Sequence, residues 1–188
     1  LTSTNNKTFN NFESIDSFNK NNHNPSCLLT LTDPELNEYI DKISSNKTLI
    51  EIVKKYLGGI SNIETKIQWS PVCNADDAWR EQNKQTVTFH YDVHDLNFVY
   101  VFFYLTDCDK ESGAHELIKG SHNKKKIFKH LIGSAKQTRE SLKKDYDEAK
   151  FITIEGKKGH GFIEDTSCFH RALIPTKKPR LTLQFRYS

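Results

Sequence analysis

The chain has 188 residues, with 27 Lys and Arg against 24 Asp and Glu, and a mean hydropathy of −0.68. This length fits one domain with its own core. No apolar run approaches the roughly 20 residues that cross a bilayer, which excludes an integral membrane protein, and a net charge of +3 is too small to indicate a nucleic-acid-binding protein by itself. The chain begins at Leu1 and contains no Met, so we expect a trimmed chain or a piece of a longer protein.

Cysteine usage and the N-terminus set further expectations. The four cysteines are far apart and form no Cys-x-x-Cys pair, which argues against a zinc ribbon. A chain of this size does not need disulfides for stability, so we expect reduced thiols rather than two disulfides. The N-terminus lacks the basic-then-apolar pattern of a signal peptide, and we therefore expect a cytoplasmic protein.

The first third of the chain predicts two helices. Residues 1–25 form a polar segment whose few apolar residues recur at every third position, which fits a short helix laid on a core or an anchored loop. Asp33 followed by Pro34 is typical of a helix start, and we expect a helix over residues 34–43. A second helix is predicted over residues 47–57, where the apolar side chains share one face and a Gly-Gly pair follows.

After the second helix the pattern changes to strands. Residues 86–93 alternate between apolar and polar side chains, and residues 98–105 are continuously apolar, as in a buried central strand. Further strands are predicted around Ile67 and over residues 116–118, 151–154, 161–164 and 181–187. Two helices followed by many short strands indicate a mainly β sandwich or barrel with flanking α-helices. The chain has no Gly-rich strand–turn–helix unit, which excludes Rossmann and P-loop folds.

A His-x-Asp pair in the alternating strand carries the first functional signal. His90 and Asp92 are two residues apart, so their side chains point to the same face of a strand. An imidazole and a carboxylate side by side can hold two adjacent positions on a metal ion, and a distant His can supply the third. Two His and one carboxylate are typical of non-haem Fe(II) oxygenases. By itself the pair is weak, because so short a pattern arises readily by chance.

Three features follow this pair in chain order. Residues 112–122 read SGAHELIKGSH, His170 comes after a Gly-rich segment, and Arg180 opens the final predicted strand. This order resembles the phytanoyl-CoA dioxygenase family of Fe(II)/2-oxoglutarate-dependent oxygenases, and the resemblance covers about residues 86–188. It implies a single oxygenase domain over residues 1–188, built on a double-stranded β-helix, that is, a jelly-roll or cupin-like barrel.

The resemblance also implies roles for single residues. His90, Asp92 and His170 would bind Fe(II), which also binds O2. Arg180 would bind the distal carboxylate of 2-oxoglutarate through its planar guanidinium, and Thr182, on the same strand face, would donate its hydroxyl to that carboxylate. The implied reaction is hydroxylation of a small organic substrate with release of succinate and CO2. A carboxylate at Asp92 favours hydroxylation, since related halogenases carry Gly or Ala there.

Two polar segments are candidates for the substrate side of the site. The insertion at residues 121–150 is Lys-rich and lies between strands, and we expect it to form part of a lid. The loop at residues 71–85 precedes the His90 strand, and its Trp79 and Arg80 are candidate substrate contacts. No motif selects a particular substrate, and none indicates an oligomeric state.

Other residues leave alternatives open. His94 could compete with His90 as a ligand, but its neighbour Asp95 would lie on the opposite strand face. The Arg180–Arg186 spacing resembles that of AlkB-type nucleic-acid demethylases. The basic run Lys124–Lys126 is compatible with a nucleic-acid partner, although a solvated helix face is the commoner explanation of such a run. We therefore regard a nucleic-acid partner as the minor alternative to a small-molecule substrate.

Two further alternatives concern the use of the fold. The same barrel hosts non-catalytic binding proteins, and a hydrolytic zinc site is also conceivable. The presence of all three candidate ligands together with the Arg favours an oxygenase over both. Three more histidines have no proposed ligand role. We interpret His115 and His160 as ordinary polar residues and His122 as a turn residue.

Overall fold

The computed structural model describes residues 17, 26–29, 33–73, 75, 78, 88–93, 97–123 and 136–188. Within these residues the chain is mainly β, with eight strands in two antiparallel sheets and a few flanking helices. None of the helices in this part of the chain is long and apolar enough to cross a membrane. Almost all of the polar segment at residues 1–25 lies outside the described residues.

The two predicted helices are confirmed. Helix α1 spans Pro34–Ser44, one residue longer than predicted, and α2 spans Lys47–Leu57. The side chains of Asp33 and Asn46 accept hydrogen bonds from the first-turn amides of α1 and α2, respectively. Helix α2 ends at Gly58, whose φ of +83° is a left-handed conformation that glycine adopts without a steric penalty.

The strands agree with the predicted ones to within a residue or two, and two short strands were not predicted. In chain order they are β1 (Cys27–Leu29), β2 (Ile63–Ser70), β3 (Val99–Tyr104), β4 (His115–Ile118), β5 (Phe151–Ile154), β6 (Gly161–Glu164), β7 (His170–Ala172) and β8 (Arg180–Tyr187). One sheet has the order β1-β2-β8-β3-β6, and the other has the order β5-β4-β7. Three short helical segments complete the described elements: α3 (Arg139–Leu142) and the 3-10 helices Lys110–Ser112 and Glu148–Lys150.

The two faces of β8 have opposite chemistry. One face packs against α1 and α2 around Val53 and consists of Leu181, Leu183, Phe185 and Tyr187. The other face looks toward the second sheet and consists of Arg180, Thr182, Gln184 and Arg186. Because alternate strand residues point to opposite sides, the same strand supplies both an apolar core layer and a polar wall between the sheets.

The predicted strand over residues 86–93 is only partly formed. In its described part, residues 88–93, Phe89 and His90 make isolated β-bridges to Gln137 and His170. Phe89 and Tyr91 are buried in an aromatic cluster, as the alternation predicts. Val93, which the alternation places on the same face, is 67% exposed, and no strand among the described residues pairs with it.

The segment predicted as a lid is divided. Residues 124–135 lie outside the described residues, and the lid stays a prediction there. Residues 136–150 instead pack on the outer face of the three-stranded sheet, where Leu142 and Tyr146 are buried against Phe89 and Phe169. The lid over residues 121–150 therefore stays a prediction, and its described part is anchored to the sheet by this packing.

Candidate active site

The structure brings the three predicted metal ligands together on the inner side of the three-stranded sheet. The backbones of His90 and His170 exchange hydrogen bonds in both directions, at 3.0 and 2.8 Å. Asp92 lies between the two imidazoles, with Oδ1 3.9 Å from Nε2 of His90 and Oδ2 3.9 Å from Nε2 of His170. These distances exceed a hydrogen bond, so the three side chains face a common point without binding one another.

Backbone carbonyls fix the orientation of both imidazoles. Nδ1 of His90 lies 3.1 Å from the carbonyl oxygen of Thr88, and Nδ1 of His170 lies 3.0 Å from that of Cys168. A carbonyl only accepts, so each Nδ1 carries the proton and each Nε2 presents a lone pair toward Asp92. Burial lowers the pKa of His90 to about 4, and it also lowers the pKa of His170. Both rings are therefore neutral at neutral pH, which is the state that binds a metal.

Arg180 is a buried cation without a carboxylate partner among the described residues. Its Nη1 donates to the carbonyl oxygen of Gly113, its Nη2 lies 3.5 Å from Oγ of Ser70, and its Nε has no hydrogen-bond partner there. Burial lowers the pKa of this guanidinium, which nevertheless stays protonated in proteins. A buried charge is ordinarily paired, so this one is suited to an anionic ligand.

Polar side chains continue from Arg180 along the inner face of β8. Thr182 is 3% exposed, and its hydroxyl accepts a hydrogen bond of 3.0 Å from Nε2 of Gln184. The same amide nitrogen donates to Oε1 of Gln68 at 3.0 Å. The Thr182 hydroxyl can therefore still donate its own proton to a ligand beside Arg180.

An ionisable cluster that the sequence analysis missed lies next to His170. Nε2 of His115 is 2.6 Å from Oε2 of Glu164, and Sγ of Cys168 donates to Oε1 of Glu164 at 3.1 Å. The His115 ring stacks on His170 with 5.4 Å between ring centroids, and it lies 5.2 Å from the ring of Phe102. His115 is therefore not the ordinary polar residue expected, because it is 7% exposed and connects the two sheets.

The charge state of this cluster follows from its neighbours. Burial alone would raise the pKa of Glu164, but the adjacent His115 brings it below its ordinary value. The carboxylate is thus ionised although it is 5% exposed. The sequence signal for this cluster was limited to a His within the SGAHELIKGSH segment, because its carboxylate partner comes from a distant strand.

Sequence comparison agrees with this arrangement. The sequence model of the family described as phytanoyl-CoA dioxygenase (PhyH) matches residues 3–180. The chain belongs to the phytanoyl-CoA dioxygenase family. The match also includes the upstream third of the chain, where the sequence analysis found only a coarse likeness. No curated protein is significantly similar to the chain in sequence.

Solved structures with a similar fold include proteins whose descriptions name iron, nickel or 2-oxoglutarate. The non-haem α-ketoglutarate-dependent epimerase SnoN, solved with Fe3+, α-ketoglutarate and nogalamycin RO, is 13% identical with a TM-score of 0.57, over 86% of this chain and 62% of that one. EvdO2 from Micromonospora carbonacea var. aurantiaca, solved with 2-oxoglutarate, is 12% identical with a TM-score of 0.52, over 87% and 66%. HygX from Streptomyces hygroscopicus, solved with nickel, 2-oxoglutarate and hygromycin B, is 13% identical with a TM-score of 0.54, over 95% and 79%.

The family membership confirms the predicted cofactors. Members of the phytanoyl-CoA dioxygenase family are Fe(II)/2-oxoglutarate-dependent enzymes that consume O2. The residues of this chain fit that group: two neutral imidazoles with one carboxylate suit Fe(II), and a buried guanidinium without a carboxylate partner suits the distal end of 2-oxoglutarate. The chain spans only 61% and 66% of the lengths of SnoN and EvdO2, respectively.

The remaining predicted site residues have different outcomes. Trp79, Arg80 and His94 lie outside the described residues, so their roles stay predictions, and so does any role of Lys124–Lys126. Arg186, the second arginine of the demethylase-like spacing, forms an ion pair with Glu64 across β2 and β8. It therefore has a carboxylate partner, whereas Arg180 has none among the residues that the structure describes.

The SGAHELIKGSH segment of the family resemblance supports the site structurally. Oγ of Ser121 accepts a hydrogen bond of 2.7 Å from the backbone amide of Phe169, the residue before His170. The backbone amide of Ile118 donates to the carbonyl oxygen of Phe169 at 2.8 Å. This turn thus holds the backbone that presents His170, while a ring nitrogen of His122 lies 2.8 Å from the side-chain amide of Asn123.

Proposed function

We propose that the protein is an Fe(II)/2-oxoglutarate-dependent dioxygenase that hydroxylates a small organic substrate with release of succinate and CO2. One observation carries the proposal: a buried Arg180 without a carboxylate partner among the described residues shares the space between the sheets with two imidazoles and a carboxylate. A non-catalytic binding protein has no need of this combination. A hydrolytic zinc site would leave Arg180 unused.

We also propose that the two sheets are halves of a double-stranded β-helix, or jelly roll. The order of β2, β8, β3 and β6 in one sheet and of β5, β4 and β7 in the other supports this fold. The β-bridge between His90 and His170 adds the His90 segment to the edge of the smaller sheet. Consecutive strands alternate between the sheets at β6, β7 and β8, as the winding of a jelly roll requires.

Each proposed ligand has a defined task. His90, Asp92 and His170 hold Fe(II) on one face, and the Nδ1 hydrogen bonds to backbone carbonyls keep the two imidazoles in the binding tautomer. Arg180 binds the distal carboxylate of 2-oxoglutarate, and Thr182 donates its hydroxyl to the same group. When bound, Fe(II) and 2-oxoglutarate supply the activation of O2.

The surroundings support hydroxylation of an enclosed substrate. The aromatic rings of Phe102 and Phe162 stack at 4.9 Å between centroids and form an apolar wall beside His115. The carboxylate of Asp92 occupies the position that halogenases of this chemistry leave open. The proposed substrate is a small molecule, as in HygX and SnoN, whose structures contain hygromycin B and nogalamycin RO. Trp79 and Arg80 as substrate contacts and a cytoplasmic location remain predictions.

The decisive experiment is spectroscopic. Adding Fe(II) and 2-oxoglutarate to the protein without oxygen should produce the visible metal-to-ligand charge-transfer band of a chelated 2-oxo acid. Asp92→Ala should abolish the band, whereas Asp107→Ala, which removes an exposed carboxylate paired with Lys157, should keep it. Absence of the band in the unaltered protein would refute the proposal.

Admission of oxygen then tests the reaction type. Succinate should form, and a turned-over substrate should gain the mass of one oxygen atom. Succinate with a product of unchanged mass would support an epimerase instead of a hydroxylase. Demethylation of methylated single-stranded DNA would favour the nucleic-acid alternative.

A further inference from the structure

The cluster beside His170 contains three different metal-binding groups. One carboxylate oxygen of Glu164, Sγ of Cys168 and one ring nitrogen of His170 all lie within 4.8 Å of one another. All three residues are buried, at 5%, 4% and 6% exposure. The geometry points to a second metal site, formed by Glu164, Cys168 and His170, that binds Zn2+ in competition with iron.

The ligand types and spacing suit this ion. Zn2+ takes tetrahedral sets of thiolate, imidazole and carboxylate, with Zn–S near 2.3 Å and Zn–O near 2.1 Å, which puts sulfur and oxygen about 3.5 Å apart. Sγ of Cys168 and Oε1 of Glu164 are 3.1 Å apart, so a shift of a few tenths of an ångström accommodates the ion. A thiolate ligand selects Zn2+ over Mg2+ or Ca2+.

The neighbours of these ligands also orient them. Oε2 of Glu164 is held by Nε2 of His115 at 2.6 Å, which leaves Oε1 for the metal. Nδ1 of His170 donates to the carbonyl oxygen of Cys168, so Nε2 is the nitrogen available for binding. Loss of such a hydrogen-bond partner of a metal ligand lowers metal affinity by about 10–100-fold. The Cys168 thiol loses its proton to the buffer when the metal binds.

Because both metal positions use His170, only one of them can be occupied at a time. The proposed iron site uses Nε2 of His170 with His90 and Asp92, and the thiolate site uses the same nitrogen. A bound Zn2+ therefore removes one of the three iron ligands. This exclusion rests on the proposed function, whereas the thiolate site itself does not.

Cobalt provides a direct test. Co2+ added to the metal-free protein should give a near-ultraviolet thiolate-to-cobalt charge-transfer band, because a Co–S bond produces one and an imidazole–carboxylate site does not. Added Zn2+ should displace Co2+ from the site, and the band should disappear. Cys168→Ser and Cys168→Ala should abolish it and should lower Zn2+ affinity on the order of 100-fold. Cys108→Ser, which alters another buried cysteine, should keep it.

The Asp92→Ala variant separates this inference from the proposed function. It should lose the Fe(II)–2-oxoglutarate band and keep the cobalt–thiolate band. Preloading the unaltered protein with Zn2+ should suppress the Fe(II)–2-oxoglutarate band. The inference is overturned if the unaltered protein gives no thiolate band, if the band survives in folded Cys168→Ser, or if Asp92→Ala abolishes it. Circular dichroism of each variant establishes that it is folded.

Discussion

Two buried charges lie between the sheets, and they are compensated in different ways. Glu164 has a partner within the chain, since its two oxygens contact His115 and Cys168. Arg180 is equally buried, at 5% exposure, but contacts only a carbonyl and a hydroxyl oxygen among the described residues. Folding thus gives one charge a polar partner, whereas the other has no carboxylate partner in the described part of the chain, as a site for an anionic ligand would require.

The difference separates stability from binding. Removing one member of a buried ion pair leaves the other charge without compensation, which destabilises the folded state. Removing a buried charge that has no counterion relieves the cost of desolvation. Substitutions at the His115–Glu164 pair should therefore mainly change the free energy of unfolding, and substitution of Arg180 should mainly change the affinity for an anion.

The largest expected effect is on stability, at His115. In the metal-free protein, His115→Leu leaves the Glu164 carboxylate buried without its imidazole partner and should lower the free energy of unfolding by about 3–5 kcal/mol. The double variant His115→Leu/Glu164→Leu removes the stranded charge and should recover most of that loss. Urea unfolding of the single and double variants measures both values.

Glu164→Leu alone is the matched control. It leaves a buried imidazole nitrogen without its hydrogen-bond partner, which should cost about 1–2 kcal/mol. If Glu164→Leu destabilised the protein as much as His115→Leu, the loss would come from packing and not from an unpaired carboxylate. A double variant less stable than either single variant would likewise show that the loss comes from packing.

The next largest effect concerns the unpaired charge. Arg180→Met should weaken 2-oxoglutarate binding in the presence of Fe(II) on the order of 100-fold, because charge-assisted hydrogen bonds contribute about 1.5–3 kcal/mol each. The thermal midpoint of the ligand-free variant should not fall, since no ion pair is lost. Anaerobic titration of the charge-transfer band gives the affinity, and differential scanning fluorimetry gives the midpoint. An unchanged affinity would mean that Arg180 does not bind the co-substrate.

The sequence predicted the residues proposed to bind iron and 2-oxoglutarate, but it did not predict the buried His115–Glu164 pair. Alternation on a strand put His90 beside Asp92 and Arg180 beside Thr182, and the family resemblance implied their roles. The His115–Glu164 pair could not be found this way. Its members come from β4 and β6, in different sheets, and only the packing of the sheets brings them within 2.6 Å.

The fold shows the same limit. The helices were predicted because caps and periodicity are local signals, and both strand faces of β8 could be read from its alternation. The polar composition of residues 136–150 did not indicate that Leu142 and Tyr146 pack behind the three-stranded sheet. Burial of a few apolar residues in a polar segment depends on a surface that the local sequence does not reveal.

A smaller effect is expected from pH. Burial lowers the pKa of His90 to about 4 in the folded protein, against an ordinary value of 6.5. Between these values the unfolded chain binds a proton that the folded chain does not, so stability is lost as the pH falls from 6.5 toward 4. The metal-free protein should lose about 1–2 kcal/mol from this source between pH 7 and pH 5.

A variant at His90 isolates this contribution. His90→Gln removes the titrating group, so its free energy of unfolding should fall less between pH 7 and pH 5 than that of the unaltered protein. Urea unfolding at the two pH values gives the comparison. Equal losses in the two proteins would show that protonation of His90 does not contribute to acid destabilisation.

The smallest effect is expected at Arg186, which lies on the same face of β8 as Arg180 but has an internal partner. Its ion pair with Glu64 is half open to solvent, because the Glu64 side chain is 39% exposed, and such pairs are worth about 1 kcal/mol or less. Arg186→Met should therefore change 2-oxoglutarate affinity by less than about twofold, a difference near 0.4 kcal/mol. Glu64→Gln should cause the same small loss of stability as Arg186→Met. A loss of affinity comparable to that of Arg180→Met would mean that Arg186 leaves Glu64 to bind the ligand, as the two-arginine pattern of the nucleic-acid demethylases would require. The contrast between two arginines on one strand face thus tests whether an internal carboxylate decides which of them binds the co-substrate.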